Sequence, residues 1–507
     1  MTTVNIRALL LALALSPLAG CVGPMVSPTP DAPIPSALAS TNINLIFVVS
    51  DDLEYQAEGD VDPITANLTA QGLQRTLLMA PFLQQNVLGN NNVTSIYALE
   101  PMTHLQTTSG YPDMAALEMV QQFALINQFT MVDANKTIAP TVGNSFPINV
   151  SYALGSVPSG VDMPSPLYPC ANCQGIDYND LDSDNETLLA GIVNAKAPGF
   201  YVFSAPWETA HSLLDNFNTF KKYHLNLPSS YHDPNHIYAI SITPAGSASL
   251  TTYDSKLTPP TTYPALDPAP VALSACQYAS FTLSATAASI TLNKNETLYF
   301  IRHANAHPSA DFSNGNYVAQ GQWRALYLNT AIPRALQGLP QPTHIYSLDP
   351  AQVTPNAGLT ASGPTSFSHN TLALTVEPFA IGSGLPYSLV SNFLLTDANG
   401  PQEASDYFFH GGQFSGKTIL VTWEHNNIPQ ILAALLNGSY TNLVSTPSMS
   451  LPIPTSSATL PQALQWNTFD YDSIWTIELD GSGNLTANNS LCEGINTNNL
   501  PQLPPQF

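Results

Sequence analysis

Two stretches of this 507-residue chain repeat each other, and this repeat restricts the fold more than any other feature of the sequence. Residues 70–101 align with residues 319–350 over 32 positions without a gap, and 11 of those positions are identical. Arg75 thereby matches Arg324. Because self-similarity at a constant offset is the signature of repeated structural units, the alignment indicates a duplication.

Three further pairs of segments continue the match in the same order. They are residues 44–49 with 297–301, 199–208 with 416–424, and 233–242 with 470–479. Each unit has short apolar runs rich in β-branched residues, which predict buried strands, and amphipathic segments, which predict helices. Strands that alternate with helices are typical of a parallel sheet covered on both faces. We therefore expect an α/β fold of two tandem three-layer α/β/α units, each with a mainly parallel sheet.

The first 20 residues are predicted to be an export signal. Arg7 precedes an apolar run over residues 8–15, which is much shorter than the ~20 residues that a membrane-spanning helix needs. The sequence Leu-Ala-Gly-Cys that ends at Cys21 resembles the lipobox of bacterial lipoproteins. This resemblance implies that Cys21 is lipidated and anchors the protein to a membrane; an ordinary signal peptide is the alternative. Val22 favours the outer membrane, so we expect a location in the bacterial cell envelope, at the outer membrane or the periplasmic face.

Export would place the four other cysteines in an oxidising compartment, where two disulfides are the default. Cys170 and Cys173 are near enough in sequence to pair with each other, and Cys276 would then pair with Cys492. A redox or zinc role for the Cys-x-x-Cys segment is disfavoured, because no second pair of ligands lies at metal spacing. The sequence predicts no metal site and no cofactor.

Charged residues make up 9% of the chain, compared with about 25% in an ordinary soluble protein. Lys and Arg together number 12 and Asp and Glu 35, so the formal net charge is −23. Nucleic-acid binding needs clustered Lys and Arg, so we expect no nucleic-acid partner. A working environment of low pH, in which carboxylates are largely neutral, would explain the scarcity of charge; a polar, neutral exterior is the alternative.

Candidate functional residues follow the predicted strands of the second unit. In α/β folds such residues gather where the carboxyl ends of strands meet the N-termini of helices. Arg302 and His303 come directly after one predicted strand, and Glu424 and His425 follow another. We expect these four side chains to lie at one edge of a sheet.

The segments 298–304, 319–324 and 421–425 together resemble the histidine phosphatase superfamily, whose members are phosphoglycerate-mutase-like. The triplet Arg-His-Ala at 302–304 stands where that family carries Arg-His-Gly, and residues 375–378 resemble a further segment that supplies a carboxylate. The resemblance covers most of the second unit and, more faintly, the first. It implies the fold of that family and a phosphatase activity.

The resemblance implies a phosphomonoester hydrolase that acts through a phosphohistidine. His303 would be the nucleophile, because a neutral imidazole can attack phosphorus. Arg302 would bind two phosphate oxygens through its fork, and His425 would be a second phosphate-binding group. Glu377 would be the acid that protonates the leaving alcohol, with Glu424 as the second candidate.

The chain departs from the family pattern in both units. The family usually brings a second Arg into the pocket, but no Lys or Arg occurs between Arg334 and Lys417. His369 lies where that Arg is expected, and it would bind phosphate if it were protonated, which needs acidic conditions. In the first unit residues 50–52 read Ser-Asp-Asp in place of Arg-His-Ala, and Thr209 replaces the second histidine. The first unit is therefore predicted to be inactive in phosphoryl transfer.

Two functions remain open. The retention of Arg302, His303 and His425 favours an exported hydrolase of a small phosphorylated substrate, whereas the missing second Arg favours an inactive envelope protein with a binding or structural role. The predicted division of the chain is a signal peptide (1–20), a flexible tether (21–42), a degenerate unit (43–258), a linker (259–294), a unit with a partial catalytic set (295–490) and a C-terminal tail (491–507).

Overall fold

Strands and helices alternate along most of the chain, in a mixed α/β fold with two large sheets. The predicted signal peptide, Cys21, Cys170 and Cys173 lie outside the residues that the structure describes. The computed structural model describes residues 33–103, 111–128, 131–132, 137–138, 145–150, 176, 184–273, 275–278, 280–306, 314–351, 353–355, 366–390, 399–447 and 464–507.

The described residues contain eight α-helices and twenty strands. The helices are α1 (Ala70–Phe82), α2 (Ala115–Ile126), α3 (Asp184–Ala195), α4 (Trp207–Lys221), α5 (Ala319–Ala335), α6 (Thr371–Ser383), α7 (Gly400–Phe409) and α8 (Asn427–Leu436). The strands are β1 (Ile43–Val49), β2 (Ser95–Ala98), β3 (Met102–Thr103), β4 (Pro112–Asp113), β5 (Met131–Val132), β6 (Thr137–Ile138), β7 (Ile148–Asn149), β8 (Gly199–Ala205), β9 (His236–Ile242), β10 (Ala248–Asp254), β11 (Thr282–Ala287), β12 (Glu296–Arg302), β13 (His344–Leu348), β14 (Val353–Pro355), β15 (Ser366–Ser368), β16 (Tyr387–Val390), β17 (Thr418–Trp423), β18 (Tyr440–Thr446), β19 (Ser473–Leu479) and β20 (Leu485–Cys492).

The Ala-Gln-Gly segment that begins α1 also begins α5, and packing explains why its glycine is repeated. A Cβ atom on Gly72 would lie 2.2 Å from the carbonyl oxygen of Asp60, and one on Gly321 would lie 2.7 Å from that of Asn305. Real side chains cannot approach a backbone oxygen so closely. Glycine is therefore required at both positions, because the backbone of each helix passes against a neighbouring loop.

The repeated arginine of each helix holds a buried carboxylate. Arg75 Nε donates to Asp60 Oδ2 over 2.8 Å, and Arg324 Nε donates to Glu493 Oε2 over 2.7 Å. All four side chains are almost fully buried. The two arginines match in the sequence repeat, but their partners come from different parts of the chain, one before α1 and the other after β20.

The first sheet has six strands in the order β10-β9-β1-β8-β2-β7. Strands β1, β8, β2 and β7 are parallel, and β9 runs antiparallel to both β1 and β10. The second sheet has eight strands in the order β16-β13-β17-β12-β19-β20-β11-β18. Its first four strands are parallel, and the pairs from β12–β19 onward are antiparallel. Both sheets are thus mixed, whereas the sequence predicted mainly parallel ones.

The hydrophobic core extends across the predicted boundary between the two halves of the chain. The largest apolar cluster includes Ile46 of β1 and Tyr299 of β12, both with no exposed surface. The described residues from 35 to 507 belong to one compact unit. The two halves therefore share one apolar interior.

Two segments that the sequence predicted as connections belong to this unit. The predicted linker 259–294 contributes β11, which pairs with β18 and β20 in the second sheet. In the predicted tail 491–507, Glu493 is buried, and the carbonyl oxygen of Leu503 accepts a hydrogen bond from Trp323 Nε1 over 2.7 Å. Both segments fold because their apolar side chains and backbone groups find partners in the second half.

The predicted Cys276–Cys492 disulfide is confirmed, and it joins two residues 216 positions apart. It fixes the segment before β11 to the end of β20. Among the described residues, no helix combines the length and the apolar character that crossing a membrane would require.

Candidate functional site

The candidate site lies where β12 and β17 end side by side. These strands are parallel, and Arg302 lies opposite Trp423 in their register. The backbone N–H of His303 donates to the carbonyl oxygen of Trp423 over 3.1 Å, so the two strands remain joined up to the site. Residues 298–301 have no exposed surface. The polar residues of the site begin directly after this buried run.

The residue after His303 is anchored to helix α6. The backbone N–H of Ala304 donates to Thr375 Oγ1 over 2.8 Å, and Thr375 Oγ1 donates in turn to the carbonyl oxygen of Thr371. Both threonines are fully buried. The turn that carries His303 is therefore held by the sheet on one side and by a helix on the other.

The ring of His303 has a defined tautomer. Its Nδ1 lies 2.8 Å from the carbonyl oxygen of Ala304, and because a carbonyl oxygen can only accept, Nδ1 carries the hydrogen. The lone pair of His303 is then on Nε2. Burial lowers the pKa of His303 well below its usual value, and the neighbouring Arg302, His425 and His369 lower it further. His303 is therefore a neutral imidazole with one free basic nitrogen.

Two more imidazoles lie beside His303. The ring centroid of His425 is 6.0 Å from that of His303, and the ring centroid of His369 is 6.3 Å from it. Both rings present an edge-on orientation. The structure thus brings together the three histidines that the sequence predicted for the site, although His369 comes from the segment after β15.

Arg302 is almost fully buried and its guanidinium is held by a distant segment. Its Nη1 donates to the carbonyl oxygens of Thr468 and Asp470, over 2.7 and 3.2 Å. Its Cζ lies 3.7 Å from the ring centroid of Tyr471, which is a cation–π contact. Nε has no hydrogen-bond partner in the part of the chain that the structure describes. The sequence did not predict Tyr471, because this contact joins residues 169 positions apart.

Arg324 holds the backbone of Arg302 at the end of β12. Its Nη1 donates to the backbone carbonyl oxygen of Arg302 over 3.0 Å, while Nε and Nη2 bind the carboxylate of Glu493. Arg324 and Glu493 are fully buried. The ion pair therefore fixes the end of β12 and does not face a ligand.

Glu424 and His425 form a pair at the start of helix α8. The Oε2 atom of Glu424 accepts hydrogen bonds from the backbone N–H groups of Asn426 and Asn427, over 2.7 and 3.0 Å. Its Oε1 atom lies 2.6 Å from His425 Nδ1. Burial raises the pKa of Glu424, but the contacts with His425, Arg302 and the Asn426 N–H outweigh burial, and the net pKa is below its usual value. Glu424 is therefore an ionised carboxylate, held by the backbone N–H groups at the start of α8 and close to the ring of His425.

Glu377 lies apart from the histidines. It follows Thr375 by two positions on α6, and at about 100° per residue the two side chains point about 200° apart. Glu377 is fully buried, and neither carboxylate oxygen has a hydrogen-bond partner among the described residues. Burial raises its pKa well above the usual value, and the charges of Glu118 and Asp113 raise it further. The structure groups Glu377 with these acids and not with His303.

Three side chains of the site could together hold a metal ion, which the sequence did not predict. His303, Glu424 and His425 each offer one ligand atom, and these atoms lie within 4.8 Å of one another. A histidine after one strand and a Glu-His pair after its parallel neighbour are the signal from which this grouping could have been found.

The corresponding edge of the first sheet is acidic. Asp51 is fully buried, and its Oδ2 lies 3.9 Å from Arg75 Nε, which binds Asp60 more closely. Burial raises the pKa of Asp51 well above its usual value, and the charge of Asp60 adds to the effect. Buried carboxyl groups thus stand where the second half has Arg302 and His303. Thr209, the counterpart of His425, is also buried.

No protein-family model and no curated protein matches this chain. Any function is therefore inferred from the residues themselves.

Proposed function

We propose that this protein hydrolyses phosphomonoesters by way of a phosphohistidine on His303. The hydrogen bond between His303 Nδ1 and the carbonyl oxygen of Ala304 is the observation that carries the proposal. It leaves the lone pair of Nε2 available, and the low pKa of His303 keeps that lone pair unprotonated. These are the two properties that a nucleophilic imidazole needs.

In the first step, Nε2 of His303 forms a bond to phosphorus as the ester oxygen leaves with the bonding electrons. Charge then develops on the phosphoryl oxygens, and the free Nε–H of Arg302 and the ring N–H groups of His369 and His425 are the donors near them. The Glu424–His425 pair supplies the proton that the leaving alcohol takes up. In the second step, water attacks phosphorus while the Glu424–His425 pair takes up the proton that the water releases, the bond to Nε2 breaks with its electrons returning to the imidazole, and inorganic phosphate leaves.

The proposed proton donor includes Glu424, the second candidate from the sequence, and not Glu377, the first. Within the described part of the chain, the carboxylate of Glu377 has no hydrogen-bond partner, whereas His425 lies beside His303. The low content of charged residues suits a setting of low pH.

We propose also that the two sheets are tandem copies of one three-layer unit. The strand orders β10-β9-β1-β8-β2-β7 and β20-β19-β12-β17-β13-β16 support this, because corresponding neighbours have the same relative direction. The lipobox-like sequence at Cys21 supports anchorage of the chain in the bacterial cell envelope.

An inactive binding protein is the second candidate, and one observation favours it. Nη1 of Arg302 already binds two backbone carbonyl oxygens, so this arginine offers a phosphate fewer donors than a free guanidinium would. With no second arginine between residues 334 and 417, phosphate binding would be weak.

Phosphatase assays of the full-length chain separate the two candidates. We would measure hydrolysis of p-nitrophenyl phosphate from pH 3 to pH 8 with the parent protein, with His303→Ala and with His344→Ala as the matched control. His344 begins β13, is half-buried and contacts Thr343 Oγ1, so its loss leaves the site intact. We expect at least a thousandfold loss of kcat in His303→Ala and parent activity in His344→Ala. Absence of turnover at every pH in a folded protein would refute the enzyme and favour the binding protein.

A further inference from the structure

We propose that His303, Glu424 and His425 form a binding site for a divalent transition metal ion such as Zn²⁺, and that the bound ion blocks phosphoryl transfer. The metal site stands on the geometry alone, whereas the block rests on the function proposed above.

The donor types match zinc. Two imidazole nitrogens and one carboxylate oxygen lie within 4.8 Å of one another. In a tetrahedral zinc site, with bonds of about 2.0–2.2 Å, the ligand atoms are about 3.3 Å apart. Modest side-chain rotations would therefore bring the three ligand atoms to the separations of a zinc site. Three protein ligands leave a fourth position for water or an anion, as in open zinc sites.

His303 already has the orientation of a metal ligand. Ligating histidines almost always donate their second ring N–H to a carboxylate or a backbone carbonyl. Nδ1 of His303 does so to Ala304, which directs the lone pair of Nε2 into the site.

The Glu424–His425 pair contains a buried nitrogen that lacks a satisfactory partner. Nδ1 of His425 lies 2.6 Å from Glu424 Oε1, but the two groups are not aligned as a hydrogen bond, and Nδ1 is shielded from solvent. The backbone N–H groups of Asn426 and Asn427 hold the other carboxylate oxygen in place. A metal ion would give His425 Nδ1 a partner and would bind Glu424 Oε1, which also accepts a hydrogen bond from Asn426 Nδ2 over 3.0 Å.

The positive charge of Arg302 repels a metal ion and so weakens its binding at this site. The same charge acts on both His303 and Glu424. Its Nη1 is directed to Thr468 and Asp470, and its guanidinium face lies on Tyr471, so part of its charge is met by those groups. We therefore expect micromolar affinity, weaker than that of a structural zinc site.

Occupancy by a metal ion and phosphoryl transfer exclude each other. The bond from the metal ion uses the lone pair of His303 Nε2, which is the same electron pair that attacks phosphorus. Zn²⁺ should therefore inhibit hydrolysis competitively with the phosphate ester, and a chelator should restore the rate.

Cobalt titration tests the site without reference to activity. We would add Co²⁺ to the full-length chain, freed of metal, and follow the visible absorption that four-coordinate cobalt develops with nitrogen and oxygen ligands. We expect one Co²⁺ per chain, displaced by Zn²⁺, with the spectrum lost in His303→Ala and in His425→Ala and kept in His344→Ala. Circular dichroism of each variant establishes that it is folded. No absorption in the parent protein, or absorption that persists in both variants, would overturn the site.

Glu424→Gln tests the carboxylate. The amide keeps an oxygen for the N–H groups at the start of α8 but removes the charge. We expect at least tenfold weaker Co²⁺ binding, and unchanged binding would remove Glu424 from the ligand set.

The two proposals fail separately. Cobalt binding without phosphatase activity would sustain the metal site and refute the proposed hydrolase. Phosphatase activity that persists when Zn²⁺ saturates the site would refute the block.

Discussion

Glu118 on helix α2 should make the protein less stable as the pH rises from about 4.3 to about 8. The side chain is 3% exposed, and its Oε2 has no hydrogen-bond partner among the described residues. Burial raises its pKa to about 8. The unfolded chain has a glutamate pKa of about 4.3. Between these values the folded protein holds a proton that the unfolded chain has released.

The free energy of unfolding must therefore fall as the pH rises through this window. The protonated form is the one that the folded state favours, so its stabilisation is complete below about pH 4.3 and is lost progressively up to about pH 8. Each pH unit costs about 1.4 kcal/mol. Glutamine mimics the protonated acid at every pH. We expect Glu118→Gln to be more stable than the parent by about 1 kcal/mol at pH 5 and about 3.5 kcal/mol at pH 7.

Urea unfolding followed by tryptophan fluorescence at pH 5, 6 and 7 measures this difference. Asp215→Asn is the matched control, because Asp215 is an exposed acid on α4 and its amide should leave the pH dependence unchanged. If the parent and Glu118→Gln unfold with parallel pH profiles, Glu118 is ionised in the folded protein and the reasoning from burial is wrong. The neighbouring Glu377 has a raised pKa for the same reason, so part of the acid stability should remain in the variant.

Two further predictions concern the second half of the chain. Tyr471→Ala removes the ring that lies 3.7 Å from the Arg302 guanidinium, and we expect about a tenfold rise in KM for p-nitrophenyl phosphate. Tyr471→Phe keeps the ring face and should keep the parent KM. Equal KM values in all three proteins would show that Tyr471 does not position Arg302. Replacement of both Cys276 and Cys492 by Ser opens a loop that spans 216 positions, so we expect a loss of about 5 kcal/mol of stability, seen as a lower urea midpoint. An unchanged midpoint would mean that the disulfide does not restrict the unfolded chain.

The positions of the site residues could be predicted because they depend on strand ends. A buried apolar run ends where polar residues begin, and parallel neighbours end at the same edge of a sheet. Arg302, His303 and His425 follow from that rule. His369 was predicted from its place in the family pattern, and the structure brings its ring to 6.3 Å from that of His303.

Glu377 could not be placed from the sequence, because its position depends on the phase of a helix. A shift of two residues turns a side chain to the opposite face, and nothing in the residues around 375–378 indicates that Thr375 is the one that faces His303. The contact between Tyr471 and Arg302 was missed for a different reason. It joins two distant segments, and no local pattern records such a pairing.

Strand β11 was missed within the predicted linker, although its sequence carried a signal. Along Thr282–Ala287 exposed and buried residues alternate, as in a strand with one face in solvent. The run is short and consists mainly of small polar residues, which also suit a loop. Its partners β18 and β20 lie far away in sequence, so only the tertiary structure decides whether this segment is a strand or a loop.

The shared interior of the two halves has a consequence for synthesis. Asn67 Nδ2 donates to the carbonyl oxygen of Leu385, and Gln122 Nε2 donates to that of Pro505, each over 3.0 Å. These partners leave the ribosome hundreds of residues after the amides that bind them. A nascent first half without the second would leave these amides, and part of the shared apolar cluster, in contact with water. The packing of the first half is therefore complete only after the end of the chain has been synthesised.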